Sequence, residues 1–84
     1  MNVIPVTNTA TELEDTPFSP GFNAVFVNNS GGAATLQGSD DGTTYTTLVN
    51  AAATGSMTQV QSLPKFVKLA AEGSNCYLLS GAGG

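Results

Sequence analysis

Apolar and polar residues alternate singly along most of this chain, which is the period of a strand and not of a helix. Asn2–Val6 reads as a short strand that Pro5 either ends or confines to an edge. From Thr7 to Gly21 the pattern is irregular; Thr11 and Glu14 have capping-box spacing, but Pro17 leaves space for no more than a turn. Phe22, Ala24 and Phe26 then alternate with Asn23, Val25 and Val27, predicting a strand that is apolar on both faces. Ser30-Gly31-Gly32 predicts a hairpin loop, and Ala34, Leu36 and Gly38 alternate with Thr35, Gln37 and Ser39 on the next strand. Asp40-Asp41-Gly42 is the strongest turn signal, since Gly42 can take the positive φ of a tight reversal. Tyr45, Thr47 and Val49 mark the returning strand.

Ala51–Gly55 is small and weakly coded and reads as a loop. Ser56–Gln61 alternates until Pro64 breaks it, and Lys65–Ala71 resumes with Val67 and Leu69 opposite Phe66. Glu72-Gly73-Ser74-Asn75 is a turn cluster, and Cys76–Ser80 is a last strand with Leu78 and Leu79 on opposite faces. Six or seven short strands predict an all-β fold: a small antiparallel β-sandwich or barrel, jelly-roll or immunoglobulin-like, with an extended N-terminal arm. The expected division is 1–21 as strand or arm plus irregular segment, 22–80 as the sandwich, and 81–84 as a Gly-rich tail.

Composition narrows the function. The 84 residues include no His, Arg or Trp, and only eight charges, two Lys against six Asp and Glu. A His–Cys metal cluster, a His-based triad and an Arg phosphate clamp are therefore not available within the chain. A net charge of −4 disfavours nucleic acid, whose counterions several Lys or Arg must displace. No apolar run approaches bilayer length, so no membrane partner is expected. Cys76 is the only cysteine, so no intrachain disulfide forms, and with no His in the chain to activate it, it reads as a small apolar core residue. No charged-then-apolar leader follows Met1, and the expectation is synthesis in a host cytoplasm. The chain is expected not to be an enzyme and to hold no cofactor or metal.

Leu36-Gln37-Gly38-Ser39-Asp40-Asp41-Gly42-Thr43-Thr44-Tyr45-Thr46-Thr47-Leu48 resembles a hairpin common in small β-sandwich proteins of tailed-bacteriophage particles. In those, a strand ending in Gln-Gly-Ser meets an Asp-Gly turn, then an aromatic and a Leu three residues on. The preceding Phe26-Val27-Asn28 and its Gly-rich link are also similar, so the likeness spans about Phe22 to Asn50. Tyr45 departs from it, because such hairpins often carry Trp there. The resemblance implies a virion structural protein of the capsid decoration (cement) kind, with the major capsid protein as partner and the outer surface of the capsid as its place.

Each candidate site has a plainer reading. Asp40 and Asp41 supply too few oxygens for Ca²⁺, and Asp40-Asp41-Gly42 reads as a hairpin turn. Glu12, Glu14 and Asp15 form an acidic patch that reads as a solvated loop or arm before it reads as a cation site. Asn28-Asn29-Ser30 matches a glycosylation acceptor, which without secretion is a chance pattern. Lys65 and Lys68 fall on opposite faces of a strand and make no basic groove. Tyr45 and Tyr77 offer a sugar-stacking platform or, more simply, core packing with a wet hydroxyl. Gly31-Gly32 lacks the Lys and helix of a phosphate loop.

The N-terminal segment carries two open readings. Laid over a neighbouring subunit it would bury Asn2, Val3, Ile4, Val6, Leu13 and Phe18 in a capsid or subunit interface; otherwise Asn2–Val6 is the first strand of the same sandwich. A homo-oligomer, dimer or trimer, is expected, because a domain this small without disulfides has little core. Two rivals are a tail-fibre, knob or receptor-binding module attaching to host surface glycans, and a small cytoplasmic adaptor that binds through its acidic face.

Overall fold

The computed structural model describes residues 2–14, 16, 18, 21–71, 73 and 75–80. Eight strands and no helix are present among them: β1 (Asn2–Pro5), β2 (Thr11–Glu12), β3 (Ala24–Asn28), β4 (Ala34–Ser39), β5 (Thr46–Ala52), β6 (Ser56–Val60), β7 (Phe66–Leu69) and β8 (Cys76–Ser80). They form two antiparallel four-stranded sheets, sheet I in the order β1-β8-β3-β6 and sheet II in the order β2-β7-β4-β5. The fold is thus an all-β sandwich, as the alternation predicts. Sheet II adds one strand too short to be seen as alternation, β2.

This strand order is that of a jelly roll. Pairing β4 with β5, β3 with β6, β2 with β7 and β1 with β8 makes one long hairpin of eight strands. Rolling that hairpin over itself adds the β3–β8 and β4–β7 pairs. Of the connections between consecutive strands, only β4–β5 stays within a sheet. The Ser30-Gly31-Gly32 link is consequently not the hairpin expected there: it carries the chain from sheet I to sheet II. Ala51–Gly55 also differs from expectation, since β5 runs on to Ala52. Ala51 sits at φ 49°, and the β4–β5 register shifts on either side of Leu36. Such irregularities mark bulges, which increase twist and bend a strand.

The core lies between the sheets. Phe26 and Leu78 enter from sheet I, Leu36, Val67 and Leu69 from sheet II, all essentially inaccessible to solvent. Burying each such side chain contributes about 1.5–3 kcal/mol. Gly38 is buried where sheet II meets its neighbours: a Cβ there would fall 2.4 Å from Pro64 Cγ and 2.7 Å from Leu48 Cδ1. A side chain at position 38 would therefore displace both.

The extended N-terminal arm is not what forms. β1 pairs with β8 from Asn2↔Ser80 to Pro5↔Tyr77 as an edge strand of sheet I. Val6 N donates to Cys76 O at 2.9 Å, Leu13 N to Lys65 O at 2.7 Å and Gly21 N to Leu63 O at 2.8 Å. Val6, Leu13 and Phe18 are 1%, 0% and 1% exposed and belong to the core. The physical reason is area: the jelly roll has room between its sheets for these side chains, and burying them within the chain needs no partner. Of the turn-forming residues in this stretch, Thr16 accepts from Phe18 N at 3.0 Å and donates to Leu13 O at 2.6 Å, which turns Phe18 inward. Asp15 and Glu72, and the tail 81–84, lie outside the described residues.

Candidate functional site

The two sheets differ in what they show to solvent. On β3 and β8 every second residue is buried, so Val25, Val27, Tyr77 and Leu79 point outward. Register then places them in two rows. Val3, Leu79, Val25 and Gln59 form one row across β1, β8, β3 and β6; Pro5, Tyr77, Val27 and Met57 form the other. Gln59 is the single non-aromatic polar side chain among these outward positions. Val3 is 57% and Met57 66% exposed at the two edges, while the central four are half-buried by their neighbours.

The outer face of sheet II is polar. Thr47, Gln37 and Lys68 share a row, and Lys68 Nζ lies 4.3 Å from the centre of the Tyr45 ring. A contact of that length is a cation–π interaction. Ser39, Phe66 and Glu12 share the next row, where Gly42 of the β4–β5 loop lies over the Phe66 ring. Every described charged side chain, namely Glu12, Glu14, Asp40, Asp41, Lys65 and Lys68, sits on sheet II or in the loops leading into it. Sheet I carries none.

The β4–β5 loop is organised by Asp41. Its Oδ1 accepts from Thr43 N at 2.8 Å, Thr44 N at 2.9 Å and Ser39 Oγ at 2.8 Å. Ser39 Oγ in turn accepts from Gly42 N at 2.9 Å. The Thr44 and Thr43 amides, with the Ser39 hydroxyl, hold the Asp41 carboxyl at about 2, below its ordinary 3.8. Gly42 takes φ 79°. With Oδ1 occupied by three donors, Asp41 acts as the anchor of a turn; Asp40 is exposed beside it. Among the described residues no cluster of three His, Cys, Asp or Glu stands close enough to hold a metal.

At one end of the sandwich Asn28 ties the sheets together. Its Nδ2 donates to Ala52 O at 2.8 Å on sheet II and to Gly32 O at 2.9 Å; its Oδ1 accepts from Ser30 N at 3.0 Å. Asn28 is fully buried, so in the folded chain its amide is not open to glycosylation. Cys76 is buried beside it, its Sγ 3.5 Å from Asn28 Oδ1. A cleft of about 330 Å³ near this end is lined by Ser30, Gly32, Thr35, Leu69 and Gly73 among others. Among the described residues of its lining none is aromatic or charged.

The residues expected at an interface are therefore divided. Val3 is on the exposed apolar face and Asn2 beside it is half-buried. Ile4 packs against the core, and Val6, Leu13 and Phe18 lie within it. Tyr77 is half-buried and its hydroxyl reaches Asn75 Oδ1 at 3.3 Å. What the N-terminal reading missed is the set Val25, Val27, Tyr77, Leu79 and Met57. The signal was present, because Phe22–Val27 is apolar on both faces and Leu78 and Leu79 are adjacent. No protein-family model, curated protein or solved structure matches the chain.

Proposed function

We propose that this protein is a non-enzymatic virion structural protein, a capsid decoration (cement) protein that binds across major capsid protein subunits on the outside of a phage head. The observation that carries the proposal is the outer face of sheet I, a broad, uncharged and almost wholly apolar surface on a small jelly roll. A surface of that kind serves adhesion: burying it against protein is favourable, and Tyr77 is the one titratable side chain in its two rows. The likeness of Leu36–Leu48 to the hairpin of phage-particle sandwiches supports the setting. The jelly-roll order is also one that viral capsid domains use, although lectins and cupins share it. Many copies on a lattice act together, so each contact can be modest.

The test is the copy number in purified particles, measured by quantitative mass spectrometry relative to the major capsid protein. A ratio near one to one, or a simple fraction of it, is expected. A few copies per particle would move the protein to the tail or receptor-binding apparatus, and its absence would end the virion reading.

A further inference from the structure

We infer that the outer face of sheet I is covered by the same face of a second copy of this chain, in a two-fold face-to-face dimer. Three observations lead to the second copy as occupant.

Charge is the first. The chain carries −4, so two copies repel wherever their charges approach. The described charges all belong to the sheet II side, and sheet I is the one broad surface free of them. Meeting through sheet I keeps the described carboxylates, Glu12, Glu14, Asp40 and Asp41, out of the rows that meet. A basic partner would instead be drawn to the opposite side of the sandwich, towards Glu12, Glu14 and Asp40.

Area is the second. The molecule measures 30 × 29 × 17 Å. Two sheets stacked about 10 Å apart account for the short dimension. The strands of sheet I cover only about 320 Å², four widths of about 4.8 Å by five residues of about 3.3 Å. The whole broad side offers on the order of 700 Å², close to the roughly 800 Å² per partner of a standard stable interface. A narrow partner, such as a peptide, would therefore fall short; a partner that covers the whole broad side does not.

The third is the pattern of the face and its edges. Leu79, Val25, Tyr77 and Val27 stand at the middle of the two rows, with Val3, Pro5, Met57 and Gln59 around them. An isologous contact needs such a self-complementary patch, with apolar groups near the axis and the polar Gln59 and Tyr77 hydroxyl able to remain at the rim. Edge-to-edge pairing is the competing mode. Pro5 in β1 has no N–H to donate and weakens that route. Packed face to face, the two sheets I form a second core and leave the loop ends of both copies exposed.

The inference takes for a second copy the face on which the virion reading rests and leaves the loop ends for any capsid contact; one set of measurements separates the two. Sedimentation equilibrium or light scattering on the purified full chain at tens of micromolar (about 10–100 µM, where an interface of this size holds) should return twice the 8.5 kDa of one chain. Val27→Asp and Met57→Lys, on the face, should each weaken the dimer at least tenfold. Met57 is 66% exposed, so that variant keeps its fold even where Val27→Asp does not; circular dichroism checks both. Gln37→Asp, on the outer face of sheet II, should leave the dimer intact. A wild-type chain that stays at the mass of one chain throughout that range overturns the inference, as does a dimer unchanged in folded Met57→Lys. A dimer that never appears on particles refutes the virion role and leaves the inference standing. A monomer that decorates particles does the reverse.

Discussion

Sheet I and sheet II have inner faces of the same kind and outer faces of opposite kinds. Inside, sheet I contributes Phe26, Val60 and Leu78 and sheet II contributes Leu36, Val49, Val67 and Leu69 to a single core. Outside, sheet II shows Thr47, Gln37, Lys68 and Glu12, while sheet I shows Val3, Val25, Val27, Leu79 and Met57. An antiparallel sheet with one solvated face normally alternates apolar-in and polar-out. Sheet II follows that rule. Sheet I reads as a sheet buried on both sides, although the chain supplies a cover for only one of them. The difference teaches that sheet II completes the fold with a polar outside, while sheet I leaves one apolar face uncovered.

If the two sheets share one core, damage to it must melt both together. Phe26→Ala should have the largest effect, about 3–5 kcal/mol, comparable with much of the stability of a domain this size. Hydrogen exchange at β8 and at β4 should report a single transition; separate transitions would show two independent sheets and break the comparison. Asn28→Ala comes next, at roughly 2–4 kcal/mol, because it strips partners from Ala52 O, Gly32 O and Ser30 N. Denaturant titration measures the loss, and exchange should rise first around Ala52, where the amide bridges to sheet II.

Gly38→Ala sharpens the description of sheet II, whose close approach to Pro64 and Leu48 leaves no space for a methyl group. The expected cost is about 1–3 kcal/mol by thermal unfolding; no change would mean that Pro64 and Leu48 move aside freely. The smallest effect belongs to the β4–β5 loop. The Asp41 carboxyl is held at about 2 in the folded chain against an ordinary 3.8, so the unfolded chain binds more protons between those values. Its contribution is complete above the ordinary value and is lost as pH falls through about 2. Asp41→Asn should therefore flatten the acid limb of a stability-versus-pH curve and leave neutral pH little changed in slope. The strands of sheet I carry no carboxylate, so this acid effect originates on sheet II and is felt by both sheets through their common core.

Much of this was readable from the residues. The alternation at Phe22–Val27, Ala34–Ser39 and Cys76–Ser80 predicts strands where strands form, and Asp40-Asp41-Gly42 lies in the one connection that joins neighbours within a sheet. Thr11–Glu12 escaped because two residues cannot display a period. The Gly31-Gly32 link misled for a different reason: a turn sequence reports that the chain reverses, and not whether it reverses within a sheet or crosses between two. The first 18 residues misled most. Val6, Leu13 and Phe18 are apolar and flanked by irregular sequence, and neither property reveals that the space between the sheets is theirs.

The sequence by itself determined that the chain builds strands, where its sharpest hairpin lies, and that its side chains offer hydroxyls, amides, six carboxylates, two amines and one thiol but no imidazole or guanidinium. Those are local properties, set by side-chain period, by φ at a turn and by the residue types present. Only the tertiary structure decided that β1, β8, β3 and β6 lie side by side, and hence that Val3, Leu79, Val25, Tyr77, Val27 and Met57 merge into one surface. These six residues are spread from position 3 to position 79. A face is a sum over strands that meet far apart in sequence, and the rolling of the long hairpin, which no single strand encodes, brings them together.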